Sequence, residues 1–97
     1  DDIVKINGNR VSLTEIGDVL RKHEDVDDAL AGLARNEAGF DIIVAAVAVT
    51  KSDINQAQVI SHCRQHLPSH AVPGVVRIFS EFPILESGKI DRVVVLS

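Results

Sequence analysis

Apolar residues fall into short blocks whose spacing changes along the chain. Residues 3–6 and 10–13 are β-prone runs on either side of Asn7-Gly8-Asn9, residues that tolerate positive φ, and they predict a hairpin with Gly8 at its tip. Ser12 followed by Glu15 has the spacing of a capping box. Leu13, Ile16, Val19 and Leu20 then recur at helical intervals, which predicts a helix to about His23. Segment 26–35 is read as a strand that turns at Glu37-Ala38-Gly39 into segment 40–50. Residues 42–49 are continuously apolar and rich in β-branched side chains, as expected of a central strand covered on both faces. Asp53, with Gln56 three residues on, is the expected cap of a second helix that carries Ile54, Ala57, Ile60 and Leu67 on one side and ends before Pro68. Residues 75–79 form another short strand, and 81–92 lack periodicity and read as a long loop. The sum is one α+β domain over residues 1–97: an N-terminal β-hairpin plus a small three-stranded sheet packed with two to three helices.

Composition narrows the function more than the fold. Of the 97 residues 45% are hydrophobic but only 3% aromatic, so the core is expected from Val, Ile, Leu and Ala with Phe40, Phe79 and Phe82 as large fillers. A domain this small has little room for an enclosed active site, and function is expected to be shared with a partner. The chain begins at Asp1 and contains no Met, as a fragment or processed chain would. A net charge of −4 argues against nucleic acid as a partner. No apolar run reaches the ~20 residues of a membrane span, so no membrane partner is expected. A single cysteine, Cys63, excludes an internal disulfide and fits a reducing, cytoplasmic setting.

Candidate chemistry is sparse when each motif stands alone. His62, Cys63, His66 and His70 invite a metal reading, because His at i and i+4 can share an ion. At ~100° per residue, however, His62 and His66 point away from the apolar stripe toward solvent, Cys63 sits at its edge, and Pro68 breaks the helix before His70. No metal site is expected. Ser87-Gly88-Lys89 lacks the remaining residues of a phosphate-binding Walker loop, since Pro83 and Ile90 occupy the positions that need Gly and Ser or Thr. No nucleophile is placed against His23 or the second-helix histidines.

The ordered set carries more. Asp1-Asp2-Ile3-Val4-Lys5-Ile6-Asn7-Gly8-Asn9-Arg10-Val11, Glu15-Ile16, Leu67-Pro68 with Val72-Pro73, and Phe82-Pro83 leading to Ser87-Gly88-Lys89-Ile90-Asp91-Arg92 together resemble the mobile C-terminal subdomain of adenylate-forming enzymes. That superfamily includes acyl-CoA synthetases, luciferase-like enzymes and nonribosomal peptide synthetase adenylation domains. The resemblance implies a two-step ligase. A carboxylic acid, amino or related, attacks the α-phosphate of ATP with Mg to form an acyl-adenylate, and the phosphopantetheine thiol of a carrier protein then displaces AMP. It implies that Lys89 is the catalytic, adenylate-binding lysine, that Gly8 and Lys5 line the thiol tunnel, and that Asp1 is the hinge. ATP and Mg would be held mainly by the chain's own N-terminal adenylation domain, outside these residues. Free CoA as acceptor, in an acyl-CoA synthetase, and a noncatalytic docking module are the alternatives. Ser12, Asn7, Asn9 and Ser69-His70-Ala71 depart from the superfamily pattern, as does Val93-Val94-Val95, which is expected to be frayed or β-like in place of the usual helix.

Overall fold

The hairpin forms with the shortest possible turn. Strands β1 (Ile3–Ile6) and β2 (Asn9–Ser12) pair antiparallel with Ile6 opposite Asn9, so Asn7 and Gly8 alone make the turn. Both have positive φ, 50° and 84°, as a type I′ turn requires and as an Asn-Gly pair supplies at low cost. Asn9 therefore belongs to β2, and Leu13 to the helix that follows. The computed structural model describes residues 2–51 and 53–97; the expected hinge Asp1 lies outside the described residues.

Helix α1 (Leu13–Arg21) starts where its cap was expected, the Ser12 hydroxyl accepting the Glu15 N–H at 3.1 Å. It stops two residues before His23, because the Lys22 and His23 N–H groups turn back onto the carbonyls of Val19 and Leu20. The sheet then runs in the order β3-β4-β5. Strands β3 (Asp28–Arg35) and β4 (Asp41–Ala48) are antiparallel, and β5 (Val75–Phe79) lies parallel to β4 after the crossover through α2 (Gln56–His66). Asp27 closes the far end of the β3–β4 pair, its carboxylate accepting both the hydroxyl and the N–H of Thr50 at 2.7 and 3.0 Å. Those bonds hold its pKa below the usual carboxylate value.

The expectation for β4 holds. Ile43, Ala45 and Val47 join Ile16, Leu20, Val59 and Cys63 in the larger core cluster, while Ala46 and Ala48 face the opposite way and pack with Phe82 and Val95. The hairpin belongs to the first layer through Ile6 and Val11. Phe79 and Phe82 meet edge to face in the second, with ring centroids 5.5 Å apart. Phe40, expected as a filler, is instead 67% exposed just before β4.

Two further expectations are corrected. The cap of α2 is Asn55 rather than Asp53: Asn55 and Gln58 exchange side-chain-to-backbone hydrogen bonds of 2.9 Å in both directions, a complete capping box. With that start the buried face consists of Val59 and Cys63, continued by Leu67, while Ala57 is exposed and Ile60 only half-buried. The Val-rich tail is a helix, α3 (Arg92–Leu96), not β-like. The Asp91 carboxylate accepts the Val94 N–H at 3.2 Å, and Val95 is fully buried against β4. Burial and capping at that site outweigh the β preference of three consecutive valines.

Leu20 is fully buried between α1 and the sheet. Leu20→Ala is expected to lower unfolding free energy by ~2–5 kcal/mol, whereas Val93→Ala, at an exposed position, should change it by less than ~0.5 kcal/mol. Urea denaturation of both variants checks the contrast.

Candidate active-site surfaces

Lys89 stands on a turn closed by backbone bonds. Ile84 and Ile90 form an antiparallel bridge, the Leu85 N–H donates to the Lys89 carbonyl at 2.8 Å, and the Gly88 N–H donates to the Leu85 carbonyl at 2.9 Å. Gly88 has φ +87°, which explains glycine immediately before the lysine. Phe82 anchors one end of the turn in the second core layer. Asp91 anchors the other, its N–H bonded to the Pro83 carbonyl at 2.9 Å and its carboxylate capping α3. The Lys89 side chain is exposed and makes no ion pair among the described residues. Leu30, Leu85, Ile90 and Val93 line an open, apolar groove of about 690 Å³ beside it. The capping role of Asp91 escaped the sequence reading, although an Asp three residues before Val94 was the available signal.

The second surface is the hairpin. Lys5 stands directly opposite Arg10, both are exposed, and neither makes an ion pair among the described residues. Around Gly8 no atom lies within 4 Å of the place where a β-carbon would stand, so its backbone is open to an approaching group. At the base of the hairpin the Leu13 N–H donates to the Asp2 carbonyl at 2.8 Å, which ties the chain down from Asp2 onward. Ile6 and Val11 root the hairpin in the helix-side core, while Phe82 and Ile90 root the lysine turn on the other face of the sheet. Lys5 and Gly8 therefore share one element, and Lys89 belongs to another on the opposite layer.

The histidines do structural work that the helical wheel did not reveal. His62 is half-buried rather than solvated, and its Nε2–H donates to the Val19 carbonyl at 2.8 Å, where it satisfies the end of α1. His66 donates from Nδ1 to the His62 carbonyl at 2.9 Å, and the rings of His23 and His66 lie 5.0 and 4.6 Å from that of His62. Among the described residues no group of three His, Cys, Asp or Glu side chains is arranged to hold a metal ion. Cys63 is fully buried rather than at the edge of a stripe. Desolvation pushes its thiol up to about 11, so it is protonated at neutral pH and not a nucleophile.

The family described as AMP-binding enzyme C-terminal domain matches residues 15–89, from the first turn of α1 to the lysine itself. The chain belongs to this family. Similar proteins include surfactin synthase subunit 3 of Bacillus subtilis, 33% identical over 95% of this chain and 7% of that protein. Nonribosomal peptide synthetase 2 of Gibberella zeae is 37% identical over 95% of this chain and 2% of its own length. Among solved structures, the amide bond synthetase McbA of Marinactinospora thermotolerans superposes with a TM-score of 0.84 at 27% identity, over 99% of this chain and 20% of McbA. This AMP-binding C-terminal domain thus spans a small fraction of the length of the relatives it matches. Among the described residues no helix is long and apolar enough to cross a membrane.

Because His62 Nε2 and His66 Nδ1 donate to carbonyl oxygens and His23 Nδ1 accepts the Asp25 N–H, added Zn²⁺ should leave the thermal unfolding midpoint of the domain unchanged. A saturable rise at low micromolar zinc, followed by scanning calorimetry, would reveal a site.

Proposed function

We propose that this domain is the mobile C-terminal subdomain of an ATP-dependent acid–thiol ligase, and that it presents Lys89 for acyl-adenylate formation and the Lys5–Gly8 hairpin for thioester formation. The observation that carries the reading is the separation of the two surfaces onto opposite layers of the sheet. One static docking against a catalytic domain cannot bring both layers to the same reacting atoms, and rotation between the steps can.

In the first step a carboxylate oxygen of the acid attacks the α-phosphorus of ATP and pyrophosphate leaves. Negative charge shifts over the phosphate oxygens, and a fixed ammonium at the end of Lys89 stabilises it with no proton transfer. The apolar groove beside Lys89 suits contact with another domain, since an apolar rim around a charged tip is best covered when the site is assembled. In the second step a thiolate attacks the acyl carbon and AMP leaves. An open glycine backbone at the hairpin tip lets the narrow pantetheine arm pass. Mg would be held with ATP by the N-terminal adenylation domain; this subdomain contributes charge and orientation. Asp1, ahead of the Asp2–Leu13 bond, is the proposed hinge. Identities of 33% and 37% with peptide synthetases favour a carrier-protein thiol over free CoA as acceptor, and this assignment carries with it a cytoplasmic setting.

In the complete enzyme, Lys89→Ala should reduce acid-dependent pyrophosphate exchange by ~10²–10³-fold, the usual cost of one preorganised electrostatic donor, and spare thioester formation from a supplied acyl-adenylate. Gly8→Leu should do the reverse, and Asp1→Pro should impair the second step selectively by removing the φ change that rotation needs. Equal loss of both half-reactions in all three variants would exclude alternation and favour a docking module. The 97-residue chain by itself should unfold cooperatively yet release no pyrophosphate from ATP and any acid; detectable release would overturn the subdomain reading.

A further inference from the structure

We propose that Phe82 is a positioning residue for Lys89, its ring fixing the seat of the lysine turn on the sheet; the proposal rests on the role of Lys89 given above. The segment leaves β5 at Phe79, whose carbonyl accepts the Val49 N–H at 2.8 Å, and passes through exposed Ser80 and Glu81. Phe82 then turns inward. Over residues 81–90 it is the buried side chain, with Pro83 and Ile90 half-buried and the others exposed. Its ring packs with Ala46 and Ala48 of β4 and meets Phe79 edge to face, the centroids 5.5 Å apart. The other buried members of that cluster are two alanines and Val95, so the ring is its largest side chain.

The path from ring to lysine lies wholly within the turn. Pro83 follows Phe82 directly, and a proline holds its own φ near about −65° and keeps the preceding residue extended, so the ring joins the turn at a stiff point. Cross-links begin at once. The Pro83 carbonyl accepts the Asp91 N–H at 2.9 Å, Ile84 bridges to Ile90, and the Lys89 carbonyl accepts the Leu85 N–H at 2.8 Å. The lysine backbone is thus the last rung of a ladder whose first rung is next to the ring. Ile90, adjacent to Lys89, packs against the same cluster and supports the returning strand. If the ring is cut back, the short side chains of Ala46 and Ala48 cannot fill the space, and the ladder settles toward β4 with Lys89 on it. The hairpin is insulated from that movement, because Ile6 and Val11 belong to the core cluster on the other face of β4.

In the complete enzyme, Phe82→Leu should lower acid-dependent pyrophosphate exchange by ~10-fold or more, in kcat and not in the KM for the acid, since a displacement of about 1 Å costs up to ~10² in rate. Thioester formation from a supplied acyl-adenylate should be spared. Phe82→Ala, which removes more volume, should lower exchange further with the same selectivity; where it fails to fold, Phe82→Leu alone decides. Lys89→Ala is measured in parallel. If Lys89→Ala leaves exchange intact, the role of Lys89 is wrong; if Lys89→Ala abolishes exchange while Phe82→Leu leaves it unchanged, the positioning role is wrong. Equal loss of both half-reactions in Phe82→Leu, or a raised KM at unchanged kcat, would also overturn it, the first by pointing to general destabilisation and the second to a role in binding the acid.

Discussion

Strand β4 has to be covered on both faces, and the rest of the architecture answers to that demand. Its alternate residues send Ile43, Ala45 and Val47 toward α1 and α2, and Ala46 and Ala48 toward the C-terminal segment. Burial of that much apolar surface contributes ~25 cal/mol per Å², so neither face can be left open in so small a domain. On the second face the cover comes from Phe82, Ile90, Val95 and Leu96, which flank or belong to the lysine turn. The frame that holds Lys89 is therefore part of the core's own cover. The small alanine side chains on that face of β4 let a large ring, Phe82, and a short helix pack close to the sheet.

Both candidate surfaces follow one design, a backbone-bonded frame with a free tip. In the hairpin the frame is the β1–β2 ladder with the Asp2–Leu13 bond at its base. In the lysine turn it is the Ile84–Ile90 bridge with Asp91 at its end. Each tip needs a glycine with positive φ, and each carries cations with no carboxylate against them among the described residues. In a chain of net charge −4 the hairpin, with Lys5 and Arg10 and no acidic residue over 3–12, is a local inversion of sign, whereas the lysine turn carries Glu86 near Lys89. The acidic residues that do pair, Asp18 and Asp28 with Arg21 and Asp41 with Arg35, lie away from both tips.

The side chains that first suggest chemistry, Cys63 and the histidines, hold the helices instead. Cys63 fills the space between α2 and the sheet, and His62 reaches across to the last turn of α1. A buried thiol pushed up to about 11 and an imidazole committed to a carbonyl are poor catalysts, whatever their spacing in the sequence. The proposed function rests on residues that look plain in isolation, a lysine and a glycine on two tight turns.

Features governed by a few neighbouring residues were legible in the sequence. The hairpin turn at Gly8, the Ser12 cap and the doubly covered β4 all arise from local φ preference, local hydrogen bonding or an unbroken apolar run. Choices between equally good local options were not legible. Asp53 and Asn55 both have capping chemistry, and only the complete box at Asn55, with the face it turns inward, selected between them. Three valines favour a strand until an Asp91 cap and the second face of β4 make a helix of them. Phe40 looks like a core residue and finds no core to enter. Neighbouring residues alone set the turns and the central strand, because the energetics of those elements close within a few positions. The layer to which each tip belongs depends on which face of β4 each distant segment comes to bury, and only the folded chain as a whole makes that choice.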